Sequence, residues 1–208
     1  MGIEPNLVEE RTWDRRREFL LIAPEGVTPV MIEDNASGLS GAAVIAEYLD
    51  ETRGRGLGER RLMPDDPLAR AETRRLTNWF NVKFFNEASQ WLVREKITKR
   101  FMSSAQGGGA PDMEVVRAAR ANLRYHLRYI GHIISARNWL AGDRLTYADL
   151  AAAAHLSCID YLGDAQWDES ETARTWYARM KSRPSFRPLL AERLPGTAPS
   201  VTYADLDF

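Results

Sequence analysis

The spacing of apolar residues changes near position 67 of the 208-residue chain, and the change divides the sequence into parts. Before it, the pattern is short and mixed. Residues 6–9 are brief and strand-like, and residues 14–21 read as a short helix that ends ahead of Pro24 and Gly26. Val30, Met31 and Ile32 form an apolar run closed by the turn-forming stretch 33–38, and Leu39 opens another short strand. Val44, Ile45, Tyr48 and Leu49 then recur at i, i+1, i+4 and i+5, one face of a helix. Helices interleaved with short strands predict a small α/β unit. Residues 52–66 hold three glycines, several charges and Met63-Pro64-Asp65 without apolar periodicity, the pattern of a linker.

Beyond the linker the chain is helical almost throughout. Pro67 stands at a helix start behind Asp66, and the apolar pattern continues through Leu76, Trp79, Phe80, Phe84 and Trp91. A flexible break at 106–110 precedes a second long helix over about 111–136, a third from Thr146 and a fourth near Glu169, with Pro184 and Pro188 punctuating the end. Thr146 and Asp149 have the spacing of a capping box, and Leu145 and Leu150 that of a hydrophobic staple. The expected organisation is an N-terminal unit over 1–54, a linker over 55–66, an all-helical domain over 67–194 and an extended tail over 195–208.

Composition narrows the function classes. Hydrophobic residues make up 44% and charged residues 27%, an ordinary globular balance. The net charge of -1 gives the chain no general attraction to nucleic acid or anionic membrane, so the basic stretches Arg15-Arg16-Arg17 and Arg74-Arg75 read as solvated helix faces. A lone Cys158 cannot form an internal disulfide, which fits a reducing compartment, and no apolar run approaches the ~20 residues of a membrane span. The expected location is the cytoplasm.

Candidate chemistry is sparse. His155 and Cys158 lie at i, i+3 on one helix, but their alanine, leucine and isoleucine neighbours point to core packing. His126 and His132, six apart, face different ways and have no metal-ligand spacing. The aromatic series Trp79, Phe80, Phe84, Phe85, Trp91 reads mostly as core, with one face left open to a dimer contact or cleft. Gly107-Gly108-Gly109 has no preceding strand and no following Lys-Ser/Thr, so it is a connector, with no metal or phosphate role. In the tail, the apolar anchors and acids of Tyr203, Asp205, Leu206, Asp207 and Phe208 suit a docking motif; the competing readings are a frayed terminus or a tail folded onto its own body.

Four stretches resemble the glutathione-transferase superfamily and together span nearly all of residues 1–194. Residues 23–30 look like the segment leading to its cis-proline, here Pro29 after Thr28. Residues 44–51 look like its third helix, 140–150 like its capped core helix, and 176–180 with 183–186 like its closing helix. The resemblance implies an α+β fold: a truncated thioredoxin-like N-terminal unit followed by an all-α glutathione-transferase C-terminal domain. It implies that one βα unit, about 25 residues, is missing from the front, through a start placed too late or as a genuine short form. The family's catalytic Tyr, Ser or Cys would lie in that segment, so no catalytic residue is expected among these 208.

The glutathione site implied by the resemblance is degenerate. Thr28 and Pro29 are kept, but Gly41 and Ala42 stand where the family carries Glu/Gln-Ser, whose side chains hold the γ-glutamyl ammonium and carboxylate. Losing two hydrogen bonds to charged groups, ~1.5–3 kcal/mol each, would weaken glutathione by about two to four orders of magnitude. No bound cofactor is expected. Residues 61–67, 91–96, 107–113, 124–130 and 203–208 further resemble a branch of transferase-like bacterial division proteins. That likeness implies a non-catalytic homodimer that binds FtsZ polymers at the division site, contacts septal wall synthesis through its tail, and neither binds nucleic acid nor inserts into membrane. The alternative is a glutathione-dependent transferase whose nucleophile lies in the missing segment.

Overall fold

The structure, a computed structural model, describes residues 2–33 and 38–206. The chain folds as two compact units, residues 1–64 and 65–208.

In the first unit a 3-10 turn, Thr12–Asp14, precedes α1 (Arg17–Ile22), which buries Phe19. Strand β1 (Val30–Met31) pairs antiparallel with β2 (Leu39–Ser40), Val30 opposite Ser40 and Met31 opposite Leu39. Helix α2 (Ala42–Arg53) follows directly and passes into a 3-10 segment, Gly54–Arg60. Arg61 grips the fully buried Asp50 of α2 at 2.6 Å, folding that segment back on the helix. Gly54 makes the approach possible, because a Cβ there would lie 2.7 Å from the Asp50 carboxylate. One expected strand is absent: residues 6–9 are irregular, with Leu7 and Val8 exposed. An extended run gains no ladder bonds unless another strand lies beside it, and none does among the described residues.

The second unit is helical. Asp66 accepts a hydrogen bond from the Ala69 N–H at 2.8 Å and Pro67 takes the first helical position, so α3 (Pro67–Asn78) starts where expected. It does not stop there. The helix widens to i→i+5 winding over Trp79–Ser89, narrows as α4 (Gln90–Val93), widens again over Arg94–Thr98 and ends as α5 (Lys99–Phe101). Side chains meet two carbonyls of the first wide stretch: Trp91 Nε1 donates to Asn86 O at 2.7 Å and Asn122 Nδ2 to Glu87 O at 3.0 Å. Helix α6 (Met113–Ile134) is capped by Asp112, α7 (Tyr147–Tyr161) by Thr146 and α8 (Glu171–Lys181) by Ser170; the short α9 (Arg187–Ala191) closes the helical body. The core between them holds Phe80, Phe84, Leu92, Leu123, Leu127, Leu156, Trp176 and Tyr177 with essentially no exposure. Each such side chain contributes ~1.5–3 kcal/mol by leaving water.

The capping box at the start of α7 forms in full. Asp149 Oδ2 accepts from the Thr146 N–H at 3.0 Å and from its hydroxyl at 3.1 Å, while the Ala148 N–H donates to Thr146 Oγ1 at 3.3 Å. The other oxygen accepts from Leu140 N–H at 2.9 Å and Trp176 Nε1 at 3.1 Å. One carboxylate thus ties the loop before α7, the helix itself and α8.

Candidate functional site

The residues expected at a ligand site in the first unit are brought together. The Thr28–Pro29 bond is cis, and the Pro29 carbonyl accepts from the Gly41 N–H at 2.9 Å, which sets the proline loop against the start of α2. The Ile45 N–H bonds to Gly41 O at 3.0 Å and opens the helix, and no side chain caps it. The first N–H groups and the positive end of the helix dipole remain able to meet an anion.

The backbone adds a feature invisible in the sequence. Gly41 has φ 93° and ψ 135°, a conformation that residues with a Cβ rarely adopt. Position 41 therefore lacks a ligand side chain and holds a geometry that disfavours one. Thr28 and Pro29 also line an open cleft of about 650 Å³, with Phe19, Ile22, Val30 and Ile32 as apolar wall and Asn6, Glu10, Arg16 and Glu18 as polar groups. Beside it, the Tyr48 hydroxyl and Arg53 both donate to Glu33, binding the end of β1 to α2. Those hydrogen bonds hold the Glu33 carboxyl below its usual range and raise the Tyr48 phenol. No local pattern signals this cluster, in which Tyr48 and Arg53 lie 15 and 20 residues from Glu33.

In the second unit the expected tail motif is divided. Its first half is folded onto the body, not extended. The Ser200 N–H donates to Tyr161 O at 2.8 Å, and the Ser200 hydroxyl to Asp160 O at 2.8 Å. Tyr203 is only 3% exposed; its hydroxyl meets Ser157 Oγ at 2.8 Å and its ring lies 5.1 Å from that of Tyr161. Beneath it Lys181, fully buried, donates to Asp160 at 3.3 Å and to the Thr202 carbonyl at 3.1 Å. Desolvation pulls the Lys181 pKa down and pushes that of Asp160 up. Tyr203 is thus an internal anchor, not a contact offered to a partner. Asp205 is exposed, Leu206 packs partly on the core, and Asp207 and Phe208 lie outside the described residues.

The remaining candidates separate cleanly. His155 is packed as expected, its Nδ1 3.0 Å from Ser89 Oγ and its ring beside Phe84 and Phe85; desolvation lowers its pKa to about 4. Cys158 is not core. It is solvent-accessible in a mostly apolar groove on α7, lined also by Val93, Ile97, Leu162 and Leu189. The apolar surroundings raise its thiol pKa, so it is a poor nucleophile. His126 is buried and His132 exposed, on different faces. Trp79 Nε1 donates to His126 Nδ1 at 3.2 Å, which leaves the Nε2–H for Glu87 at 3.0 Å. Phe80 and Phe84 are core, whereas Phe85 and Trp91 keep more than a third of their surface in water. Among the described residues no His, Cys, Asp and Glu group could hold a metal ion, and no helix is long and apolar enough to cross a membrane.

Comparison with known proteins bears on this arrangement. A family model described as the glutathione S-transferase C-terminal domain matches residues 110–193. The FtsZ-localized protein A of Caulobacter vibrioides is 44% identical over 204 residues, 97% of this chain and 86% of that protein. Among solved structures, a glutathione S-transferase from Sinorhizobium meliloti superposes with a TM-score of 0.97 at 51% identity, covering 100% of this chain and 90% of that one. The structure of FzlA from C. crescentus gives 0.86 at 44% identity, covering 97% and 87%.

Proposed function

The chain belongs to the glutathione-transferase-like family that includes FtsZ-localized protein A, and from that premise we propose that it is a non-catalytic member that binds FtsZ filaments at the division site in the cytoplasm. The observation that carries the reading is the 44% identity with FtsZ-localized protein A, sustained over 97% of the chain. The start of α2 supports the non-catalytic half. Gly41 and Ala42 offer a γ-glutamyl headgroup only backbone N–H groups, and the positive φ of Gly41 disfavours a gripping side chain. As a homodimer the protein would present each filament contact twice, and bivalent attachment raises the effective concentration of a second contact enough to bundle filaments. The end of the tail, beginning at the exposed Asp205, is the segment proposed to reach a septal wall-synthesis partner. Co-sedimentation tests the reading: the purified protein pellets with assembled FtsZ and stays soluble without it. A protein that never enters the FtsZ pellet removes the proposal.

A second reading, a glutathione-dependent transferase, is favoured by two observations. The cis Thr28–Pro29 loop is intact against a helix start, and the Sinorhizobium meliloti protein at 51% identity is described as a glutathione S-transferase. Calorimetry separates the two. The non-catalytic reading expects no heat from millimolar glutathione, and micromolar binding would favour the transferase.

A further inference from the structure

We propose that Arg179 and Arg183, with the Trp139 ring they share, form a docking site for an acidic peptide segment of a partner protein. Trp139 is fixed in a tight turn, its N–H bonded to Gly142 O at 2.8 Å. The Arg179 guanidinium lies over its ring, 3.8 Å from the centroid, and the Arg183 guanidinium lies 5.8 Å away. Neither arginine has a carboxylate in ion-pair contact among the described residues, and Arg183 Nε is buried without an acceptor. Arg179 reaches only a neutral group, the Asn138 carbonyl. Desolvation lowers the Arg179 pKa, and repulsion from the Arg183 guanidinium adds a smaller push the same way. The nearby Asp149 attracts Arg179 through space, but its oxygens are already committed to four hydrogen bonds. An external carboxylate at the exposed Arg179 would offset that repulsion, and a planar guanidinium fork suits it.

The surroundings favour a peptide. A groove of about 420 Å³ runs beside Arg179, lined by Asn138 and by the Thr172 and Thr175 hydroxyls of the same α8 face. Its other charges are already matched, Arg137 with Glu72 at 2.7 Å and Glu171 with Arg174 at 3.4 Å. Arg179 stands in the last turn of α8 and Arg183 two residues past its end, their guanidiniums 3.8 and 5.8 Å from one ring centroid, within reach of alternate side chains of an extended strand, ~6.6 Å apart. Alternate acidic residues can therefore meet Arg179 and Arg183 in turn. A nucleic acid fits poorly, since two uncommitted cations make a short phosphate track and Arg179 already covers a face of Trp139 that a base would need for stacking.

The test is an anisotropy titration at low salt with a labelled extended peptide carrying glutamate at alternate positions. Its glutamine counterpart, a single-stranded oligonucleotide and inorganic phosphate are run alongside. The glutamate peptide should bind at least tenfold more tightly than the glutamine peptide and the oligonucleotide. Arg179→Ala with Arg183→Ala should weaken it at least tenfold, whereas Arg117→Ala, on the exposed face of α6, changes it less than twofold. Equal binding of the two peptides, tighter binding of the oligonucleotide, displacement by equimolar phosphate, or full affinity in the double variant would each overturn the proposal. If the alanine pair lacks a cooperative melt, Arg179→Lys with Arg183→Lys replaces it. That pair keeps the charge but loses fork and stack, so a fall of at least threefold supports the site and unchanged affinity overturns it.

Discussion

The Asp149 carboxylate accepts four hydrogen bonds from three parts of the helical unit, and its desolvation pushes its pKa up while those bonds hold it down. Removing it strands buried donors on Leu140, Thr146 and Trp176. Asp149→Ala is expected to cost more than ~3 kcal/mol in urea unfolding, whereas Thr146→Ala, which loses only the cap, costs ~1 kcal/mol. His155 has the opposite chemistry: it must stay neutral. Its folded pKa of about 4 lies below the ordinary 6.5. Between those values the unfolded chain binds a proton that the native state does not, so stability falls as pH drops from about 6.5 to 4. The loss approaches ~3 kcal/mol at ~1.4 kcal/mol per pH unit. His126, also lowered by burial, adds in the same direction. His155→Gln should shallow the acid slope of the urea midpoint, and an unchanged slope would show that His155 is not its source.

Among elements, the packing of α6 against the start of α8 depends on a missing side chain. Gly131 lies buried in α6, and a Cβ there would fall 2.1 Å from Ser170 Oγ, the cap of α8. Gly131→Ala must push α8 away or turn Ser170 out of its cap. A loss of ~2–3 kcal/mol follows, from overpacking plus the lost cap. The rod from Pro67 to Phe101 gives a second lesson. Two wide-wound stretches shift which residues face inward, so Phe85 and Trp91 stay partly in water although their spacing suggested core.

For the whole molecule, the tail is both structure and candidate contact. Tyr203 closes over the buried Lys181–Asp160 pair, so Tyr203→Ala should cost ~3–5 kcal/mol of stability. Asp205→Asn, which gives up an attraction to the buried Lys181, should lower the melt far less than Tyr203→Ala and weaken the proposed partner contact. A Tyr203→Ala protein with wild-type stability would refute the anchor.

What the residues alone determined is what depends on near neighbours: the helical periods after Pro67, the caps at Asp66 and Thr146, and the lack of a polar side chain at Gly41 and Ala42. Each is decided within about one helical turn, by bonds or side chains the sequence places side by side. Tertiary structure decided what depends on distant partners. Residues 6–9 find no strand neighbour among the described residues, Cys158 opens into a groove beside α7, and Tyr203 is inside because its hydroxyl meets Ser157. Arg179 and Arg183 meet Trp139 across some forty residues of chain, a closure no local pattern encodes. Periodicity tells a residue which face of its own element it occupies; only packing tells it what that face will meet.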